Sequence, residues 1–252
     1  MIADGITQLT EGWEEMRRTR ITGTTAYACM PEEYKKGGTC RFKKTGRSTF
    51  WDFFANSTDV PDSSGLSARE RGIALQEEHA QLLAAEYPTV MTSWRSDAFC
   101  ISGDSLDIGL SPDMLDDAHG DAPEWAAELK SYGTARHVEL FMNIRAFENG
   151  DDDYACEWAP EVETAGHAID LLEPREQNQI LMYFVVEPTL DVVVGSWYQP
   201  LMTDEYAAVR HFHREFKRSD LTPRIDALRM RLIEASLLKQ EMREKLLSMS
   251  EG

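Results

Sequence analysis

Apolar residues at Ile2, Ile6, Leu9, Trp13 and Met16 recur at helical spacing, which predicts an opening helix that ends in Arg17-Arg18-Thr19-Arg20. The small polar run Ile21 to Thr25 follows as a turn whose hydroxyls and amides could hold an anion, a capped turn being the plainer reading. Phe50-Trp51-Asp52-Phe53-Phe54 reads as a buried segment by its bulk, and residues 56–66, rich in Asp, Ser and Pro, as a loop. Ser67-Ala68-Arg69-Glu70 has the form of a capping box and opens a helix that Tyr87-Pro88 closes. Thr89 to Ile101 reads as strand, Ser102-Gly103-Asp104-Ser105 as a hairpin turn, and Leu106 to Leu110 as the return strand delivering Asp113 at its end. The alternation of Val138, Leu140, Met142 and Ile144 predicts another strand, followed by a solvated turn at Asn149 to Asp153. Glu176 to Val186 fits either helix or strand by period, whereas Asp191 to Tyr198 fits a strand. Thr203 is placed to cap a helix carrying Tyr206, Val209, His213 and Phe216 on one face, and Thr222-Pro223 to start a long final helix through Met249. On such a helix His211 and His213 diverge, so they are not expected to share a metal.

Within this frame two runs carry chemistry, Ser111-Pro112-Asp113 and Glu128-Leu129-Lys130. On a strand Glu128 and Lys130 share a face, and a neighbouring strand end could bring Asp113 to them. The two carboxylates can then hold Mg²⁺ through their oxygens while the lysine steadies an attacking hydroxide and the charge that builds on a phosphate. The triplet Glu-x-Lys also occurs at Glu33-Tyr34-Lys35 and Glu215-Phe216-Lys217. Locally, the central copy fits a helix better than a strand, with Asp121 as cap, Pro123 in the first turn, and Trp125, Leu129 and Tyr132 along it; the order of blocks along the chain favours the strand.

Composition narrows the field. At 252 residues and 42% hydrophobic content the chain can bury a full core, and its sequence contains no apolar run of membrane-spanning length and no leader-like start, so a soluble, intracellular protein is expected. Cys29, Cys40, Cys100 and Cys156 have neither zinc nor iron–sulfur spacing and read as free thiols. The net charge of −18 excludes a generally basic nucleic-acid coat. Yet nine basic residues against two acidic ones lie between Arg17 and Arg47, while acid collects at Asp113 to Glu124 and Glu148 to Glu157.

Taken in order, the blocks resemble the lambda exonuclease, or YqaJ-like viral recombinase, family with its PD-(D/E)xK nuclease core. The resemblance begins at Trp13 to Arg17 with Ile21-Thr22-Gly23-Thr24, and continues through Gly72, Glu77 and Ala80 and then Ser111-Pro112-Asp113. Glu128-Leu129-Lys130, Gln177-Asn178-Gln179 and the terminal strand and helices complete it. It implies an α/β fold with a central mixed sheet flanked by helices, as one nuclease domain over 1–252. In that domain 1–66 would bind the DNA end, 67–200 form the catalytic core, and 201–252 supply C-terminal helices. It further implies that Asp113 and Glu128, with the Leu129 carbonyl, hold Mg²⁺ or Mn²⁺, that Lys130 positions the water, and that Glu77 and Gln177 complete the catalytic set. Gln177 in that role makes Glu176 to Val186 a helix. Arg17 and Thr24 would hold a 5′-phosphate, a task suited to a guanidinium fork. The implied activity is 5′–3′ exonuclease action on linear double-stranded DNA, leaving single-stranded tails for phage-type recombination. The implied setting is a homotrimer in the cytoplasm of a phage-infected or prophage-bearing bacterium, with a single-strand annealing protein as partner.

The chain departs from the family pattern in several places. Gln76 stands where the family places its glutamate, with Glu77 and Glu78 following; Met114 and Ser131-Tyr132 replace usual residues; and the interval between Asp113 and Glu128 is long and acidic. Two other readings stay open. One is an endonuclease on the same core. The other, from a different class, is a non-catalytic acidic interaction protein such as a DNA mimic or virion component. The absence of a four-cysteine cluster disfavours the cysteine-bearing CRISPR-associated nucleases.

Overall fold

In the computed structural model, residues 32–33, 39–40, 68–96, 100–103, 108–157 and 159–250 are described. The expected opening helix, Arg17, Thr24, the aromatic run 50–54 and the loop 56–66 lie outside them.

Two short paired strands, β1 (Glu32–Glu33) and β2 (Thr39–Cys40), come first. Helix α1 (Ala68–Glu86) is built from strong helix formers and ends where Pro88 disfavours a helical Tyr87. The amides of Val90 and Met91 then turn back onto the Tyr87 carbonyl, so the strand expected from Thr89 starts only at Trp94; β3 (Trp94–Arg95) and β4 (Cys100–Ile101) fall among its described residues. β5 (Gly109–Leu110) pairs antiparallel with β4 as the expected hairpin return. β6 (Met114–Asp116) and β7 (Trp125–Lys130) follow, so Glu128-Leu129-Lys130 lies on a strand and the local helix alternative falls away.

The chain continues through α2 (Thr134–Asn149), α3 (Asp152–Glu157), α4 (Pro160–Thr164) and a 3₁₀ turn at Ala168–Leu171. It then forms α5 (Pro174–Val186), β8 (Val192–Tyr198), a 3₁₀ turn at Asp204–Tyr206, α6 (Ala207–Arg210), β9 (His211–Lys217) and α7 (Arg218–Ser250).

Five strands form one sheet in the order β3-β6-β7-β8-β9. β6 is antiparallel to both β3 and β7. β7 and β8 leave from the same end, since the Glu124 carbonyl accepts from the amides of Asp191 and Val192, and so run parallel. β8 and β9 are closed at opposite ends by Gln199 N–H to Arg210 O and Arg218 N–H to Asp191 O, hence antiparallel. The sheet is therefore mixed, as expected, with helices flanking it. Among the described residues no helix is long and apolar enough to cross a membrane.

The chain divides into two compact units. One includes 131–172 and 197–212. In it Val138 packs against Met202, His137 donates through Nε2 to the Val209 carbonyl at 2.6 Å, and Phe212 stacks on Trp197. The other holds 72–130, 173–196 and 213–252. Its core gathers Ala80 and Leu83 from α1 with Met91, Met114, Trp125, Ala127 and Val194.

Four expectations are corrected. The alternating residues from Val138 to Ile144 form helix α2, because His137, Val138, Leu140 and Ile144 equally mark one buried helical face, and Gly150 at φ 63° stops it in the left-handed region. The helix expected through Phe216 ends at Arg210. From His211 the chain is strand β9, with Phe212 and Phe216 buried on one side. At Asn149 to Asp153 the turn is confined to Gly150 and Asp151, and Asp152 already opens α3. The final helix starts at Arg218, ahead of Pro223, which lies inside it.

Candidate active site

Strand register brings the carboxylates together. Met114 pairs with Ala127 in the antiparallel β6–β7 ladder, so Asp113, one residue earlier, sits opposite the Glu128-Leu129 segment. Its Oδ2 accepts the Leu129 N–H at 2.9 Å. Along β7 side chains alternate: Trp125, Ala127 and Leu129 turn toward the apolar cluster shared with α1, and Glu128 and Lys130 turn to the other face. There Lys130 Nζ pairs directly with Glu128 Oε1. The lysine side chain keeps 23% of its surface exposed, enough to meet a ligand.

Tyr183, on α5, completes the arrangement. Its hydroxyl donates to Glu128 Oε2 at 2.7 Å, with the Ala127 carbonyl at 3.1 Å as a second acceptor. The same oxygen accepts the Asp113 N–H at 3.2 Å. The ring is fully buried. From α1, Gln76 donates through Nε2 to Asp113 Oδ1 at 3.4 Å.

The electrostatics follow from this crowding. Burial, then the nearby Glu128 charge, pushes the Asp113 carboxyl up to about 6, against the opposing pull of the Leu129 N–H and Lys130. Burial and the two carboxylates push the Tyr183 phenol well above its ordinary value, so it stays a donor. Half-buried Glu176 is also raised, first by burial, and lies within the fields of Lys130 and Glu128.

Asp113, Glu128 and Lys130 thus converge. Glu77 lies on the exposed side of α1, where its Oε1 accepts from Gln81 Nε2 at 2.8 Å; the α1 side chain against Asp113 is Gln76. Gln177 lies half-buried in the first turn of α5, the helix that the resemblance implied. Tyr183, Gln76 and Glu176 were not singled out from sequence. Only the departure at Gln76 gave a signal, whereas Tyr183 reads as one more core aromatic on a helix.

The donor set fits a hard divalent cation. Each of the four carboxylate oxygens of Asp113 and Glu128 takes one protein donor, and each carries a second lone pair. Among the described residues no group of three or more His, Cys, Asp or Glu is placed to hold a metal ion, so a cation at Asp113 and Glu128 would need water or phosphate oxygens to complete its shell.

A separate acidic network occupies the interval between β6 and β7. The buried Asp116 carboxylate accepts from the amides of Ala118 at 2.9 Å and Glu124 at 3.0 Å and pairs with His119 Nδ1 at 2.6 Å. These bonds hold its carboxyl below the usual range despite burial.

No family model matches the chain, and no curated protein matches it. Among solved structures it is similar to an alkaline exonuclease (LHK-Exo) from Laribacter hongkongensis, at 15% identity over 96% of this chain and 98% of that one, with a TM-score of 0.47. LHK-Exo in complex with dAMP gives 14% identity over the same shares and the same TM-score.

Proposed function

We propose that the protein is a Mg²⁺-dependent phosphodiester hydrolase, a 5′–3′ exonuclease acting on linear double-stranded DNA and leaving single-stranded tails for recombination. The observation that carries this reading is the convergence of Asp113, Glu128 and Lys130 on one face beside the β6–β7 ladder. Asp113 and Glu128, with the Leu129 carbonyl, would hold the cation, Mg²⁺ or in its place Mn²⁺. Bound there, the ion supplies Lewis-acid polarisation of the scissile phosphate and lowers the pKa of a water. Lys130 would orient that water and donate to the phosphate oxygen on which charge builds. Gln177 would line the site from α5, and Glu77 would join it only by a rearrangement of α1 side chains. Direction, the 5′-phosphate pocket at Arg17 and Thr24, the homotrimer, the annealing partner and the bacterial cytoplasm rest on the motif resemblance and belong to the same proposal.

A linear duplex with one 5′-phosphate and one 5′-hydroxyl end, digested over time with Mg²⁺ or EDTA beside a covalently closed circle, tests the reading. The expected result is preferential loss of the phosphorylated strand, none in EDTA, and an intact circle. Cutting of the circle would make the protein an endonuclease on this core. No loss of any substrate with Mg²⁺ or Mn²⁺ would favour the acidic interaction protein.

A further inference from the structure

The Tyr183 hydroxyl touches both halves of the carboxylate pair at once. It lies on α5, yet its oxygen meets the backbone of Asp113 at the head of β6 and the side chain of Glu128 on β7. A carboxylate on a glutamate has three rotatable bonds, and ordering it for an incoming cation costs entropy that a fixed partner removes in advance. Here Lys130 holds Oε1 and Tyr183 holds Oε2. Lysine is long and partly exposed, so the partner that fixes the carboxylate plane is the buried phenol. Its acceptance of the Asp113 N–H anchors the other ligand's backbone through the same atom.

We infer that Tyr183 is a positioning residue for divalent-cation binding, setting the orientation of the Glu128 carboxylate and its separation from Asp113. The inference rests on the proposed metal site and adds to it a residue that would touch neither metal nor DNA. Its ring is buried on α5, as are the side chains of Ile180, Leu181 and Phe184. Partners that orient metal ligands without binding the metal affect affinity by about 10–100-fold when removed.

The test is calorimetric titration of the full chain with Mn²⁺ alone, without DNA, for wild type, Tyr183→Phe, Asp113→Asn and Ser196→Ala. Phe keeps the buried ring and removes only the hydroxyl. Ser196→Ala removes a different buried hydrogen bond of the same unit, that of His79 Nε2 with Ser196 Oγ at 2.8 Å. The expected result is binding by wild type and Ser196→Ala with equal affinity, loss in Asp113→Asn, and about 10–100-fold weaker binding in a folded Tyr183→Phe. Wild-type affinity in Tyr183→Phe overturns the inference and leaves the metal site standing. Unfolding of Tyr183→Phe also overturns it, by making the hydroxyl a structural support. No Mn²⁺ binding by wild type overturns the metal site, and the inference with it.

Discussion

Gln76 donates to the same Asp113 carboxylate that accepts the Leu129 amide, an uncharged contact at 3.4 Å beside a carboxyl already raised to about 6. A third negative charge at position 76 would repel both neighbours in the metal-free protein and attract a cation. Gln76→Glu is therefore expected to lower the metal-free Tm by roughly 2–4 °C, corresponding to about 1 kcal/mol, and to tighten Mn²⁺ binding. Thermal melts in EDTA and in Mn²⁺ check both halves. An unchanged Tm in EDTA would show that the side chain at position 76 points away from Asp113.

Arg218 closes the end of α5. Its Nη2 donates to the carbonyls of Phe184 and Glu187 at 3.1 and 2.9 Å, its Nε to Leu190 O at 2.6 Å, and the guanidinium lies over the Phe184 ring at 5.0 Å. Arg218→Ala leaves those carbonyls without their donor and should cost about 2–3 kcal/mol, or roughly 5–10 °C in Tm. Arg218→Lys should recover little of this, because an ammonium cannot reproduce the fork. Full recovery by lysine would show that the charge alone matters.

His119 and Asp116 make the loop before β7 sensitive to pH. The Asp116 partner holds the His119 imidazole above its ordinary value, so the pair's contribution is present in full below about pH 6.5 and fades as pH rises through the raised folded value. Melts from pH 5.5 to 8.5 should show the His119→Ala deficit largest at the acidic end and shrinking toward the alkaline end. A constant deficit across that range would contradict a charged pair.

His137 acts in the opposite sense. Burial holds its imidazole down at about 4, against the pull of the Val209 carbonyl, so the folded protein keeps it neutral while the unfolded chain protonates it near pH 6.5. Its stabilisation is complete above that pH and is lost as pH falls toward about 4, to the extent of about 3 kcal/mol. His137→Gln should flatten the stability curve between those limits, measured by urea unfolding at stepped pH. A curve as steep as wild type would place the acid sensitivity elsewhere.

The end of α1 was legible from Pro88 alone. The pairing of Glu128 with Lys130 follows from the period of two once that segment is a strand, a choice that the order of blocks along the chain made against the local helix signal. The elements misread were those whose patterns obey two periods. Val138, Leu140, Met142 and Ile144 alternate, but with His137 they also fall on a helical face, and the choice was made by Gly133 and Gly150 at the ends of α2. Tyr206, Val209, His213 and Phe216 lie at helical spacing, yet Phe212 and Phe216 take the buried side of a strand beside β8. Tyr183 could not be found at all from local signals, and Gln76 was marked only by standing in the place of the family's glutamate. Their roles arise from contacts 37 to 70 residues away in sequence, which only the assembled sheet and helices create.

The most direct measurement is the rate of Mg²⁺-dependent nucleotide release from linear duplex DNA by wild type, Asp113→Asn and Lys130→Ala, each verified as folded. The account predicts turnover by wild type that EDTA abolishes, no detectable turnover in Asp113→Asn, and a loss of about 10²–10⁴-fold in Lys130→Ala. Wild-type rates in Lys130→Ala, or no turnover by wild type with Mg²⁺ or Mn²⁺, would contradict it.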